Sequence, residues 1–279
     1  MGGTRLRALA PSDEGLLRHF LARDPVERVF IAARVDALGL RRMGCRVWGW
    51  FEYGELMAVC HQGANLMSVG ADDAALAGFA GVVGRTRRTS TSLVGESMQT
   101  MELFRLLVEA DESWADPRDI RPSQPMLAIS TDPGIEGDER VRPVTMADFA
   151  PYFEASVAMY TEEVGVSPLG LDATQGYMQH VRTLIETGRA FAIIEEGRVI
   201  FKADLGATAG PVAQVQGVWV DPKLRGRGLA APAMAQVVRL ARRRFRTISL
   251  YVNDFNLPAR ATYARCGFEQ VGEFATVLY

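Results

Sequence analysis

The chain has only three cysteines and three histidines in 279 residues, and almost no excess charge of either sign. Cys45, Cys60 and Cys266 form no C-x-x-C pair and have no histidine at metal-ligand spacing, which argues against both a zinc site and a disulfide framework. His19, His61 and His180 are scattered and read as surface or packing residues. A net charge of −2 and a pI near 6.0 give no bulk electrostatic reason to bind nucleic acid or an anionic membrane. The basic run from Arg242 to Arg246 falls at a predicted helix C-terminus, where cations face the negative end of the dipole. No apolar run approaches the roughly 18 residues of a membrane span, and the first residues lack the apolar core of a signal peptide. The expected location is therefore the cytoplasm.

The chain has ample apolar content: 48% hydrophobic residues over this length suffice for one large domain or two ordinary ones. The turn-rich, acidic stretch 132–138 reads as a linker between halves at 1–131 and 139–279. The halves echo each other. Arg5-Leu6-Arg7-Ala8-Leu9 before Asp13 matches Arg140-Val141-Arg142-Pro143-Val144 before Asp148 at one constant offset. Trp50 to Leu56 lines up with Ile193 to Val199 as strand, tight turn, strand, and Ser92-Leu93-Val94 with Ser249-Leu250-Tyr251. The shared order points to a tandem repeat. In the second half, Thr145 and Asp148 can cap a helix that lays Phe149, Phe153, Val157 and Tyr160 on a core face. A second helix is predicted from Asp172 through Tyr177, Val181 and Leu184 to a stop at Gly188.

The segment Gln214 to Ala230 carries the most chemistry. It is an alternating strand, a turn containing Gly226 and Gly228, and then a helix predicted over about 228–244. Glycines there admit backbone angles closed to other residues, and the helix start offers unpaired N–H groups and a positive dipole end, so an anion belongs at the turn. A P-loop would need a Lys-Ser/Thr pair after its last glycine, and the spacing also differs from the dinucleotide G-x-G-x-x-G. Downstream, Thr247 to Val252 reads as a buried strand, and Asn256 to Cys266 as a short helix stopped by Gly267.

The order Arg225-x-x-Gly228-x-Ala230, with Asn256 followed seven residues later by Tyr263 and then by Gly267-Phe268, resembles the GNAT superfamily of N-acetyltransferases. The whole chain resembles a bacterial two-domain type in which a degenerate GNAT-like half precedes a complete one. The resemblance implies an α/β fold of tandem GNAT-like domains, each a mixed sheet flanked by helices, with acetyl-CoA as co-substrate and no metal. It places pantetheine along Val218, Trp219 and Val220, with a main-chain N–H polarising the acetyl carbonyl. It puts the pyrophosphate on the amides of Gly226, Arg227, Gly228, Leu229, Ala230 and Ala231, with Arg225 or Arg227 adding charge. Pro232 has no N–H, so the amide set ends before it. Tyr263 matches the position that protonates the departing thiolate, and Asn256 the one that bonds the cofactor arm. The first half offers Asp72 and Asp73 where a pyrophosphate would need donors.

The expected function is transfer of an acetyl group from acetyl-CoA directly to a primary amine, on a small molecule or a protein; the alternative is a catalytically weak acyl-CoA-binding module. No carboxylate stands on the fourth or fifth strand, where Gln214, Gln216 and Tyr251 are found. Base chemistry would then fall to water relayed through Gln216 or to an acid from the loop after the first helix. Glu162 and Glu163 end that helix, where the dipole disfavours carboxylates, and read either as a hold for a cationic amine or as ordinary surface charge. The acceptor and the oligomeric state are not written in these motifs.

Overall fold

The computed structural model describes residues 3–170 and 173–279. The chain runs β1 (Arg5–Ala8), α1 (Glu14–Leu21), α2 (Val29–Arg42), β2 (Arg46–Glu52), β3 (Glu55–Gln62), β4 (Asn65–Val69), α3 (Asp73–Val83), β5 (Ser92–Glu96), α4 (Ser97–Ala110) and β6 (Asp119–Ile129). It continues through β7 (Arg142–Pro143), α5 (Phe149–Val164), α6 (Ala173–Glu186), β8 (Ala190–Glu195), β9 (Arg198–Ala209), β10 (Val212–Val220), α7 (Ala230–Arg242), β11 (Thr247–Tyr251), α8 (Leu257–Cys266) and β12 (Glu269–Leu278). The second series repeats the first element for element, as the echoes require.

Two compact units form, and each is discontinuous in sequence. The first comprises Met1–Leu127, Tyr251–Asn256 and Gln270–Tyr279; the second comprises Ala128–Leu250 and Leu257–Glu269. The expected contiguous halves thus exchange short segments. The last strand, β12, pairs antiparallel with β5 from Phe274↔Glu96 to Leu278↔Ser92, burying Phe274, Ala275 and Val277 in the first unit. In that unit β1, β2, β3 and β4 pair antiparallel in succession, and β4 meets β5 in parallel. In the second, β7 to β10 do the same and β10 meets β11 in parallel. Both are mixed α/β layers.

The sequence echoes are structural equivalents. Arg7 grips Asp13 through two bonds of 2.6 and 2.9 Å, and Arg142 grips Asp148 through two of 2.8 Å. The carboxylate also accepts the backbone N–H of Ala10 in one repeat and of Thr145 in the other. Both hairpin turns, Tyr53-Gly54 and Glu196-Gly197, hold positive φ at both central residues, as a tight two-residue hairpin needs. The stretch 132–138, expected as a linker, is hydrogen-bonded to α7: Arg239 donates to the carbonyls of Pro133 and Ile135, and the Asp138 N–H to that of Pro232 at 3.0 Å. On α5 the fully buried residues are Tyr152, Ala155 and Ser156, whereas Phe149, Phe153, Val157 and Tyr160 are half-buried; Phe153 and Tyr160 lie against Tyr177 of α6. A bulky aromatic row therefore covers the core edge instead of entering it. Val181 and Leu184 of α6 are buried and Gly188 ends the segment at φ +65°, as expected; the proposed cap Asp172 lies outside the described residues.

Candidate functional site

In the second unit β10 and β11 pair only at Val212↔Thr247, Ala213↔Ile248 and Gln214↔Ser249. Beyond Gln214 the parallel ladder stops, and burial changes with it: Val212 to Val215 are buried, while Gln216 to Val220 are all half-exposed. One edge of β10 is thereby opened. Its other edge stays on β9, but with a bulge: Gln216 faces Asp204 and Trp219 faces Lys202, leaving Gly217 and Val218 opposite the single residue Ala203.

The strand ends at Asp221, whose carboxylate accepts the Lys223 N–H at 3.0 Å and the Arg198 guanidinium at 2.7 Å, fixing a single helical turn at Pro222–Leu224. The chain then passes Gly226 and Gly228 at φ +75° and +77°, with nothing within 4 Å of where a Cβ would project. These glycines are needed for backbone shape, and they face open space. The i→i−4 bond from the Ala233 N–H to the Leu229 carbonyl measures 3.2 Å, so the amides of Leu229, Ala230 and Ala231 precede it at the positive end of α7. Pro232 closes the set. This strand–turn–helix end fits a pyrophosphate: directed amides, exposed Arg227, and room for close approach.

Arg225 is otherwise engaged. Its guanidinium makes two bonds of 2.7 Å to Glu162 at the end of α5 and a third, of 3.1 Å, to the Val220 carbonyl. The pairing holds the Glu162 carboxyl below its ordinary range and raises Arg225. Glu162, expected to face an acceptor amine, is thus committed to a cation of the cradle itself. The buried Trp219 indole N–H lies beside Glu162 and helps to stabilise its charge. Gln216 turns back along the strand, donating to Gln214 at 3.0 Å over the bare face of Gly206.

Tyr263 is buried on α8 and packs edge-on against Phe268 at 5.8 Å. Its helix is fastened to the first turn of α7, where the Cys266 thiol donates to the Ala231 carbonyl at 3.4 Å. Burial, with smaller contributions from Cys266 and the Glu163 charge, pushes the Tyr263 hydroxyl well above its ordinary range. At neutral pH the hydroxyl is protonated. Gln216, Val218, Trp219, Val220, residues 226–231, Glu162, Glu163 and Tyr263 all belong to the second unit. Asn256, whose N–H donates to the Asn253 carbonyl at 3.0 Å, clusters with the first unit.

Sequence reasoning missed a buried charged group beneath the bulge. Lys202 Nζ lies 2.6 Å from Asp204 Oδ2 and 3.2 Å from the Gly217 carbonyl, and the Tyr152 hydroxyl donates to Asp204 Oδ1 at 2.5 Å. The available signal was a lysine and an aspartate two residues apart within an otherwise apolar strand. The first unit keeps the strand opening, since β4 and β5 pair only at Asn65↔Ser92 and Leu66↔Leu93, but not the glycine turn. There the Asp72 carboxylate accepts the Ala75 N–H at 2.9 Å and occupies the helix end that an anion would use. Among the described residues no group of three or more His, Cys, Asp or Glu side chains is placed to hold a metal ion.

Residues 151–268 match the Acetyltransferase (GNAT) family, and residues 45–152 match a domain of unknown function, DUF4081. Over 84 residues the chain is 38% identical to mycothiol acetyltransferase from a Nocardioides species, a stretch covering 29% of this chain and 28% of that protein. The chain thus spans little more than a quarter of the length of that relative. Among solved structures it resembles a GCN5-related N-acetyltransferase from Sphaerobacter thermophilus, with a TM-score of 0.61 at 19% identity over 98% of this chain and 94% of the other. It also resembles a tandem GNAT protein from the clavulanic acid biosynthesis pathway, with a TM-score of 0.55 at 16% identity over 98% of both chains. At such identities these structures establish the tandem fold alone.

Proposed function

We propose, on the premise that residues 151–268 belong to the GNAT acetyltransferase family, that this chain transfers an acetyl group from acetyl-CoA to a primary amine within a ternary complex. The observation that carries the reading is the junction of β10 and α7: a strand with one edge opened beyond Gln214, running into two left-handed glycines and then the first turn of a helix. Acetyl-CoA supplies the thioester-activated acetyl group. The amides of 226–231 and Arg227 hold its phosphates, and the exposed edge of Val218 to Val220 aligns its arm. The Val218 N–H is the donor for the acetyl oxygen, worth most where negative charge develops. Tyr263 carries the neutral hydroxyl assigned to protonate the departing sulfur, and its burial, which raises the hydroxyl's pKa, makes it a weaker acid than a free tyrosine.

On the acceptor side, Glu163 and Gln216 orient the amine, and Glu162 becomes available when phosphates compete for Arg225. The acceptor is an amine on a small molecule or a protein. With three cysteines in thiol form, the protein suits the reducing cytoplasm. Calorimetric titration with acetyl-CoA, followed by thiol release across a panel of amines, tests the reading. Micromolar binding with amine-dependent release supports the enzyme. Binding with flat release across all amines supports the acyl-CoA-binding module instead, a reading favoured by the lack of a carboxylate on β10 and β11. Absence of binding removes both.

A further inference from the structure

Lys202 and Asp204 alternate along β9 so that both side chains lie on one face, and both are buried, Lys202 completely. Removing two ions from water costs several kcal/mol each, and apolar side chains of equal volume would fill the same space without that penalty. What an apolar pair could not supply is a directed donor. The bulge supplies the need for one: the ladder skips from Gln216↔Asp204 to Trp219↔Lys202, so the regular pairing of β10 with β9 is interrupted at Gly217. Lys202 Nζ donates to it at 3.2 Å. Asp204 neutralises the ammonium at 2.6 Å, and the Tyr152 hydroxyl on α5 fixes the other carboxylate oxygen at 2.5 Å. The ammonium also lies 5.1 Å from the centre of the Tyr152 ring.

The cluster closes tightly around Gly217. A Cβ there would stand 2.9 Å from Met159 Cε, 3.0 Å from Asp204 Oδ2 and 3.1 Å from Lys202 Nζ, at a φ of +58° that already favours glycine. Because the peptide is planar and trans, holding the Gly217 carbonyl toward Lys202 turns the Val218 N–H the opposite way. The direction of the Val218 N–H is thereby fixed, on a strand whose other edge is no longer covered by β11.

We infer that Lys202, Asp204 and Tyr152 form a positioning device for acetyl transfer: by anchoring the Gly217 carbonyl they aim the Val218 N–H at the thioester oxygen. The inference rests on the acetyl-CoA reading above. None of the three touches the reacting atoms; they act through one peptide plane. An N–H left free to swing would have to be reoriented during the reaction, whereas a fixed one needs no reorganisation.

The probe is acetyl-CoA labelled with carbon-13 at the acetyl carbonyl, read by isotope-edited infrared spectroscopy on the full chain. In the wild type the bound thioester carbonyl stretch should move to lower frequency than in water. Lys202→Met combined with Asp204→Asn removes both charges together, so no ion is left buried alone. This double variant should bind CoA within about twofold of wild type yet lose the frequency shift. A full shift in the double variant overturns the inference. A second measurement on the unaltered protein covers the case in which the double variant does not fold: acetyl-CoA, but not CoA, should move the Val218 amide proton downfield. A Val218 proton indifferent to the acetyl group also overturns the inference. Failure of acetyl-CoA to bind the wild type, seen by calorimetry, defeats the functional reading itself and is thereby distinguished from failure of the positioning role.

Discussion

Substitution of Gly228 separates a ligand cradle from an ordinary glycine turn. Gly228 at φ +77° and Gly210 at φ +49°, in the turn joining β9 to β10, both have open space where a Cβ would project. An L-residue held in the left-handed region costs roughly 1–2 kcal/mol, and no steric clash adds to it at either position. That strain is present in free and bound protein alike, so it lowers stability and cancels from affinity. Gly210→Ala and Gly228→Ala should therefore lose similar stability in urea titrations. Only Gly228→Ala should weaken acetyl-CoA, because its methyl group occupies space left for phosphate oxygens. Gly228→Glu adds a carboxylate: at about 4 Å from a phosphate and an effective dielectric near 20, repulsion is about 4 kcal/mol, close to a thousandfold in Kd. Calorimetry at low salt reads all three. Wild-type affinity in Gly228→Glu, or equal losses of affinity in the two alanine variants, would refute the cradle.

Tyr263→Phe should lower turnover by about ten- to a thousandfold while leaving acetyl-CoA affinity intact; equal turnover, once an acceptor is in hand, would assign the proton to another group. Glu162→Gln should change stability by less than about 1 kcal/mol, since both partners of its ion pair are substantially exposed. The same variant frees Arg225 and should tighten acetyl-CoA a few-fold at low ionic strength, an advantage that fades in high salt; weaker binding would instead show that Glu162 holds Arg225 in its useful pose. His61, buried with its Nδ1–H on the Asn65 carbonyl at 2.9 Å and Nε2 3.2 Å from the Cys45 thiol, has its pKa lowered by burial to about 4. The unfolded chain then binds the extra proton between the ordinary histidine pKa near 6.5 and that value, so stability falls as pH drops through this window. Urea unfolding should show about 2 kcal/mol less stability at pH 5 than at pH 7 from this residue, a difference removed in His61→Gln; an unchanged pH slope in that variant would refute the assignment.

What could be read from the sequence was governed by local torsions and by short periodicities. The cradle belongs to this class: glycines at 226 and 228, a proline that ends the donor set, and a helix of apolar period specify one turn whatever surrounds it. So do the two hairpin turns and the Arg-Asp grips six residues apart, which made the duplication legible. Other features depended on partners chosen across long separations. Nothing near Arg225 announces Glu162, 63 residues away, and nothing in the alternation of β12 says that it will pair with β5. An exposed strand edge accepts any chain with the right face, so that choice is made only by the completed packing. The same holds beneath the bulge. Lys202 and Asp204 are two charges in an apolar strand until β10 slips its register by one residue against them, bringing the Gly217 carbonyl within reach of the lysine. The sequence by itself determined the glycine turn and the helix that follows it; the tertiary structure decided which side chains are committed and which peptide is held, because burial and long-range pairing set the partners of charges and of backbone groups.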